Sequence, residues 1–221
     1  MSKQENDQAL HWVFPRWTVF LGPLIGVMAG GGLLYAVVFV WFGFSPKTTD
    51  VGYAPEQPIP YSHALHVGKL GLDCRYCHTG VEDTAQALVP PTQTCMSCHW
   101  SVRAESPKLE ALRQSYQTGQ PIPWVRVHDL PDYAYFDHSA HVRRGVGCAS
   151  CHGRVDQMQV VYQHEPLSMS WCLTCHRAPD EFLRPLDQIT NMRYPHDPEA
   201  ARELKEKYQI QPTVYCSTCH R

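Results

Sequence analysis

Residues Thr18 to Phe44 (TVFLGPLIGVMAGGGLLYAVVFVWFGF) contain no charged side chain. At 1.5 Å rise per residue, about 25 of them cross the ~30 Å hydrocarbon core of a bilayer with room for tilt, so the run predicts a transmembrane helix. Trp12, Phe14 and Trp17 flank one end and Trp41, Phe42 and Phe44 the other, as interfacial aromatic belts do. The rival is a cleaved secretory signal, whose apolar region is shorter and ends in a small-residue cleavage site. Nothing resembling Ala-x-Ala follows Phe44, which favours an uncleaved anchor. Gly22, Gly26 and Gly30, with Gly31 and Gly32 beside them, make a groove that a partner helix could enter. Glycine is also common in membrane helices without such a role.

Beyond the apolar run the pattern changes. Eighteen prolines and fourteen glycines across the chain speak for a loop-rich body. Pro46, Pro55, Pro58 and Pro60 mark residues 45–60 as an extended spacer. Ser106-Pro107 is placed to cap a short helix through Leu109, Leu112 and Arg113, and Asp197-Pro198 one that reaches about Tyr208. Gly119 to Pro131 reads as an ordered crossing loop, and no strands are evident. The predicted class is a single N-terminal transmembrane helix followed by a mostly helical or irregular domain with little or no β-sheet. A formal net charge of −2 gives no hint of a nucleic-acid partner.

The chemistry lies in the cysteines. All ten fall in five units of the form Cys-x-x-Cys-His, at Cys74–Cys77–His78, Cys95–Cys98–His99, Cys148–Cys151–His152, Cys172–Cys175–His176 and Cys216–Cys219–His220. Such a unit reads as a covalent haem c site: two thiols bond the porphyrin vinyl groups and the next imidazole takes the iron. Zinc-ribbon and redox Cys-x-x-Cys pairs need no histidine directly after the second cysteine. Five covalently bound haems therefore follow, with roughly 177 residues after the apolar run to enclose them. The porphyrins supply much of the buried apolar area, and Arg75, Arg143, Arg144, Arg154 and Arg177 are candidate partners for their propionates. Covalent haem attachment is exoplasmic in bacteria. The haem domain is therefore expected on the periplasmic face of the cytoplasmic membrane, with the N-terminus inside. Lys3 and Arg16 before the run, against Lys47 just after it, agree weakly.

A weak repeat leads into the motifs. Tyr61-x-His63-x-x-His66 precedes Cys74, and Phe136-x-His138-x-x-His141 precedes Cys148; a second attachment unit follows the first in each case. The expected organisation is 1–17 cytoplasmic, 18–44 anchor, 45–60 spacer and 61–221 haem domain, with modules 61–116 and 136–178 and the fifth haem at 216–220. A low-spin carrier needs a sixth ligand on each iron. His63, His66, His138 and His141 are the strongest candidates, because three-residue spacing aims two imidazoles at different irons. His128, in Trp124-Val-Arg-Val-His128-Asp, is chosen for the fifth place, with Met158, Met169 and His164 as rivals. His196 reads as a surface residue, and His11 precedes the span.

The paired elements resemble the small multihaem cytochromes of the c3 and c7 kind. That resemblance implies His63 for the haem on Cys74/Cys77 and His138 for the haem on Cys148/Cys151, leaving His66 and His141 for haems not assigned. Sealed irons pass electrons and bind little else, so an electron wire is the leading function. A multihaem reductase with one open iron is the enzymatic rival. A quinol dehydrogenase of the NapC and NrfH kind is the third, weakened by the ~30 residues between Phe44 and Cys74. Over most of its length the chain resembles the pentahaem subunit of bacterial alternative complex III, through YSHALHVGKLGLDCRYCH, WVRVHDLPDYAYFDHSAHV and PLSMSWCLTCHR. The resemblance implies a redox subunit of a respiratory or photosynthetic quinol oxidoreductase. It would work with integral and periplasmic partner subunits and pass electrons to a monohaem cytochrome c or another soluble redox protein.

Overall fold

The computed structural model describes residues 14–44 and 49–220. His11, Trp12, Lys3, Pro46 and Lys47 lie outside the described residues. The chain divides into two units, Met1–Thr48 and Thr49–Arg221.

In the first unit, Pro15 precedes a 3-10 turn, Arg16–Phe20, where the Thr18 hydroxyl donates to the Pro15 carbonyl at 2.8 Å. The turn runs directly into helix α1, Leu21–Gly43. Together they make a 28-residue helical stretch, Arg16–Gly43, near the N-terminus and roughly 42 Å long if fully α-helical. From Leu21 to Gly43 the helix is apolar all round and exposed, a pattern that suits lipid and does not suit water. Length and composition fit a membrane anchor and a signal sequence alike. A Cβ at Gly22, Gly26 or Gly30 would meet no atom within 4 Å, so the small-residue face is open.

The second unit is built from short helices joined by irregular chain. Its α-helices are α2 Cys74–Cys77, α3 Thr92–His99, α4 Glu110–Thr118, α5 His138–Val142, α6 Ala149–His152, α7 Met169–Arg177, α8 Pro198–Lys207 and α9 Cys216–Cys219. A π-helical turn, Ala64–Lys69, stands before α2. Among the described residues the β content is two isolated bridges, Ala134 with His220 and Val146 with Leu183. That is the loop-rich, sheet-poor build the sequence predicts.

The caps follow the sequence signals. Ser106-Pro107 opens a 3-10 turn, Pro107–Leu109, that becomes α4, and Gly119 closes α4 in the left-handed conformation at φ 71°. The Asp197 carboxylate accepts from Glu199 and Ala200 N–H at 3.0 and 3.1 Å, with Pro198 at the first turn of α8. Asp137 and Ser168 cap α5 and α7 in the same way.

Packing is thin and divided. Ile59, Met96 and Leu112 form one small cluster; Val81, Val142 and Ile189 a second; Leu183, Ala201 and Ile210 a third. No large side chain among the described residues is completely buried. So little core is small for a body of this size, which must bury apolar area from another source to be stable.

The stretch expected as a free spacer is tied down from Thr49 onward. Gly52 N–H donates to the Gln163 carbonyl at 2.8 Å, Gln163 N–H returns to Tyr53, and the Gln163 side chain reaches the Thr49 carbonyl. The Gln57 amide makes both bonds to the Val125 backbone, at 2.8 and 3.0 Å. Prolines extend this segment, and side-chain amides supply the partners that its backbone would otherwise lack.

Candidate metal centres

Each Cys-x-x-Cys-His unit sits on a helical turn. The histidine N–H bonds back to the carbonyl of the first cysteine, at 2.8 Å for His78, 3.0 Å for His152 and 2.9 Å for His220. Three-residue spacing on such a turn sets both sulfurs along one side, and the imidazole follows on the next residue. In α2 the turn is braced by Asp73, whose Oδ1 accepts from Arg75 N–H at 2.8 Å and Arg75 Nε at 2.9 Å. The Arg75 guanidinium holds the Asp73 carboxyl down at about 2.

Four histidines that end attachment units face a second histidine. Ring centres are 6.5 Å apart for His63 and His78, 6.2 Å for His66 and His99, 6.4 Å for His138 and His152, and 6.1 Å for His141 and His176. An imidazole nitrogen lies roughly 1.2 Å from its ring centre, so two nitrogens each about 2 Å from one metal put ring centres roughly 6.4 Å apart. Directly stacked or hydrogen-bonded rings would stand closer. The pairs are therefore spaced for one ion between two axial imidazoles. Ring planes are nearly parallel in two of them, at 3° and 4°, and turned by 62° and 46° in the others.

Backbone carbonyls fix the orientation of these rings. The Nδ1 atoms of His78, His99, His138, His141, His176 and His66 lie 2.7–2.9 Å from the carbonyls of Leu88, Val102, Ala85, Asp137, Thr213 and Ser62. A proton held on Nδ1 in this way leaves Nε2 free as the ligand atom. Burial adds to the effect. It pushes the His63 imidazole down to about 4, with His78 and His66 contributing, and His152 down to about 3, with His128 and His138 the nearest charges. His141 is lowered as well, chiefly by burial. Neutral imidazole is the form that binds a metal.

The sequence repeat is a structural one. Tyr61 lies between its two histidines, 4.8 Å from His63 at 84° and 4.4 Å from His66 at 21°. Phe136 repeats this at 4.8 Å and 85° with His138 and at 4.5 Å and 28° with His141. The aromatic ring thus sets both imidazoles of its element, one by its edge and one by its face.

The thiols give the order of the units in space. Cys74 and Cys148 hydrogen-bond to one another, which holds the Cys74 thiol well above its usual value and joins the first unit to the third. Burial and then the nearby Cys77 raise Cys95, joining first and second. Burial pushes Cys151 up to about 12, with Cys175 and Cys172 adding to it, and Cys172 is raised by burial and by Cys219. The units therefore follow one another as second, first, third, fourth, fifth. Cys148 is lowered by its interaction with Cys74; the surroundings of Cys74, Cys95, Cys151 and Cys172 disfavour thiolate and suit an uncharged thioether sulfur.

The remaining candidates lie elsewhere. His128 stands against His152, with ring centres 4.4 Å apart at 87° and its Nε2 3.3 Å from His152 Nδ1. The ring facing His220 is Tyr133, at 5.8 Å, and His220 Nδ1 lies 3.1 Å from the Tyr133 carbonyl. Met158 is buried, Met169 is exposed, and exposed His164 lies 3.6 Å from Glu165. Of the arginines considered for propionates, Arg75 pairs with Asp73 and Glu82, Arg143 with Asp83, and Arg154 with Asp156. Sequence reasoning missed Asp73 and the carbonyls of Ala85, Leu88 and Thr213. Only Asp73, a capping residue directly before an attachment turn, leaves a readable signal.

Three observations fit these residues to haem c. The histidine pairs have the span of one metal ion held between two imidazoles, the sulfurs lie on turns beside them, and the protein's own core is only three small clusters. A fourth is His63 Nδ1, a buried nitrogen with no hydrogen-bond partner in the protein. Among the described residues, no group of three or more His, Cys, Asp or Glu converges as a zinc site requires.

Comparison with known proteins points the same way. A family model described as cytochrome c7 and related cytochrome c matches residues 134–221, which include the second aromatic-histidine element and the last three attachment units. The chain is also similar to the menaquinone reductase, multiheme cytochrome c subunit, of Nitratidesulfovibrio vulgaris, at 35% identity over 122 residues. That match covers 55% of this chain and 56% of the relative, so the chain spans a little over half the relative's length. With the motifs, the facing histidines and these likenesses together, residues 134–221 carry a domain like those of cytochrome c7 and related cytochrome c.

Proposed function

We propose that this chain is a membrane-anchored pentahaem cytochrome, and that it relays electrons between a quinone-reactive partner and a periplasmic acceptor. The observation that carries the reading is the set of four histidine pairs, each 6.1–6.5 Å across and each including the histidine of an attachment unit. Haem c, when bound, supplies a one-electron ferric/ferrous couple. The residues do the rest. The paired imidazoles close both faces of a site against substrate and water, the carbonyl-bound Nδ1 atoms fix the rings, and the cysteines prevent loss of the group. Tyr61 and Phe136 pack two ligands each. The units stand in single file, so the outer ones, second and fifth, are the terminals.

Arg16–Gly43 serves as the anchor in this reading, with the N-terminus in the cytoplasm and residues 61–221 in the periplasm. Modules 61–116 and 136–178 each hold two haems and 216–220 the fifth. The likeness to a menaquinone reductase subunit supports a quinone-linked role, and the resemblance to the pentahaem subunit of alternative complex III supports quinol as the electron source. Quinone chemistry then belongs to partner subunits. A monohaem cytochrome c or another soluble redox protein is the acceptor.

A second reading, a reductase with one open iron, is favoured by His220, which faces the Tyr133 ring and not an imidazole. Two measurements separate them. The mass of the mature chain gives the haem count, expected to be five. Carbon monoxide added to the reduced complex reads open irons, and almost no binding is expected from a relay. Binding at one site that disappears in a Cys216→Ser, Cys219→Ser variant would support the reductase. A chain of bare polypeptide mass, or one purified as a lone monomer under mild detergent, would sink the relay.

A further inference from the structure

We propose that His128 is a positioning residue for His152: it accepts a hydrogen bond from the Nδ1 of His152 and thereby sets the donor strength of the third unit's proximal imidazole. The assignment rests on the proposal that His138 and His152 hold one iron between them.

The contrast among the histidines is the basis. His66, His78, His99, His138, His141, His176 and His220 each place Nδ1 within 2.7–3.1 Å of a backbone carbonyl. At His152 the carbonyl's place is taken by the Nε2 of His128, 3.3 Å away. The rings meet at 87°, edge to face, so the nitrogen of one lies at the rim of the other. On its other side His152 faces His138, 6.4 Å off with planes 4° apart. His152 therefore has one nitrogen toward the proposed metal and the other toward His128. With Nε2 accepting, His128 carries its own proton on Nδ1.

The loop that presents His128 is held. The Gln57 amide clamps Val125, three residues before His128, through two bonds, and Arg126 and Asp129 pair across His128 at 2.8 Å. A partner that accepts from Nδ1–H raises the basicity of a metal-bound imidazole, which favours the ferric state and lowers the potential. A carbonyl is common to every residue type; a side chain is not. The third unit, at the middle of the file, is thus the one whose ligand is tuned by a replaceable group. This places His128 outside the ligand set in which the sequence put it.

The test uses the full chain in its membrane complex, with His128→Leu and His128→Gln compared with the parent. The leucine fills the space without accepting. The glutamine carbonyl oxygen reaches the place of Nε2. Redox titration is followed on the low-spin signal that His138→Ala abolishes. In the leucine variant the reduced-to-oxidised ratio of that haem at fixed ambient potential should rise by up to about tenfold, or about 59 mV for a one-electron couple. The glutamine variant should return it to the parent value. If the leucine variant does not accumulate, His128→Asn, whose amide stops short of Nε2, replaces it in the same comparison. Parent, leucine and glutamine forms titrating alike would overturn the proposal, and so would a high-spin iron or carbon monoxide binding in the leucine form, since either makes His128 a ligand. A lower haem mass in the parent would instead strike at the underlying haem assignment.

Discussion

Replacing His66 by alanine removes the imidazole that stands 6.2 Å across from His99, in the pair whose planes are turned by 62°. The proposed ligation says which iron opens: the one attached at Cys95 and Cys98, 29 and 32 residues away in sequence, and not the neighbour at Cys74. It also says which signal is lost. Parallel imidazoles donate into the same iron d orbital and split it from its partner, giving a rhombic low-spin spectrum. Turned imidazoles act on both orbitals and leave them closer in energy, giving a more anisotropic one. The pairs at 3° and 4° belong to the first kind, and those at 62° and 46° to the second. One of the four paired centres should thus become five-coordinate, with loss of one low-spin signal of the anisotropic class. Fold stability should drop modestly, since the bond to the Ser62 carbonyl at 2.9 Å and the stack on Tyr61 are each worth about 1 kcal/mol. Low-temperature paramagnetic resonance of the oxidised complex reads the spin classes, and carbon monoxide difference spectra read the opened iron. Loss of a rhombic signal, or no high-spin iron at all, would refute the pairing.

Two further outcomes follow from the second unit's backbone and caps. Gly145 has φ 86° and a Cβ there would lie 2.5 Å from the Arg184 carbonyl oxygen, so Gly145→Ala should cost roughly 1–3 kcal/mol. Calorimetry should show a lower melting temperature, and an unchanged one would show that the backbone yields freely. Asp73 has its folded value at about 2 against 3.8 unfolded, mainly through the hydrogen bond from Arg75, so its stabilisation is present above pH 4 and lost as pH falls toward 2. The melting temperatures of the parent and Asp73→Asn should differ by a constant amount near neutrality and converge between pH 4 and 2. A gap that persists undiminished at pH 2 would exclude the carboxylate as its source.

Much of the fold is local and was therefore readable. Ser106-Pro107 and Asp197-Pro198 start helices because a cap and a pre-set φ act within one turn. The aromatic-x-His-x-x-His elements announce themselves because ring and imidazoles lie within six residues, and the two copies match within 0.1 Å in ring separation. The pairing of His66 with His99 and of His141 with His176 was not legible. Each bridges more than thirty residues of irregular chain, and no periodicity carries register across such a gap. The place of His128 was not legible either: nothing in the sequence sets its Nε2 3.3 Å from His152 Nδ1, the contact on which its proposed positioning role rests.

One ring between two imidazoles has a mechanical result. Tyr61 touches a residue of the first pair with its edge and one of the second with its face, and Phe136 does so for the third and fourth. Neither member of such a couple can reorient without displacing the common mount, so a disturbance at one centre reaches the other through packing before any charge moves. The proposed relay is thus two coupled doublets and a terminal single, with each doublet adjusted as one body.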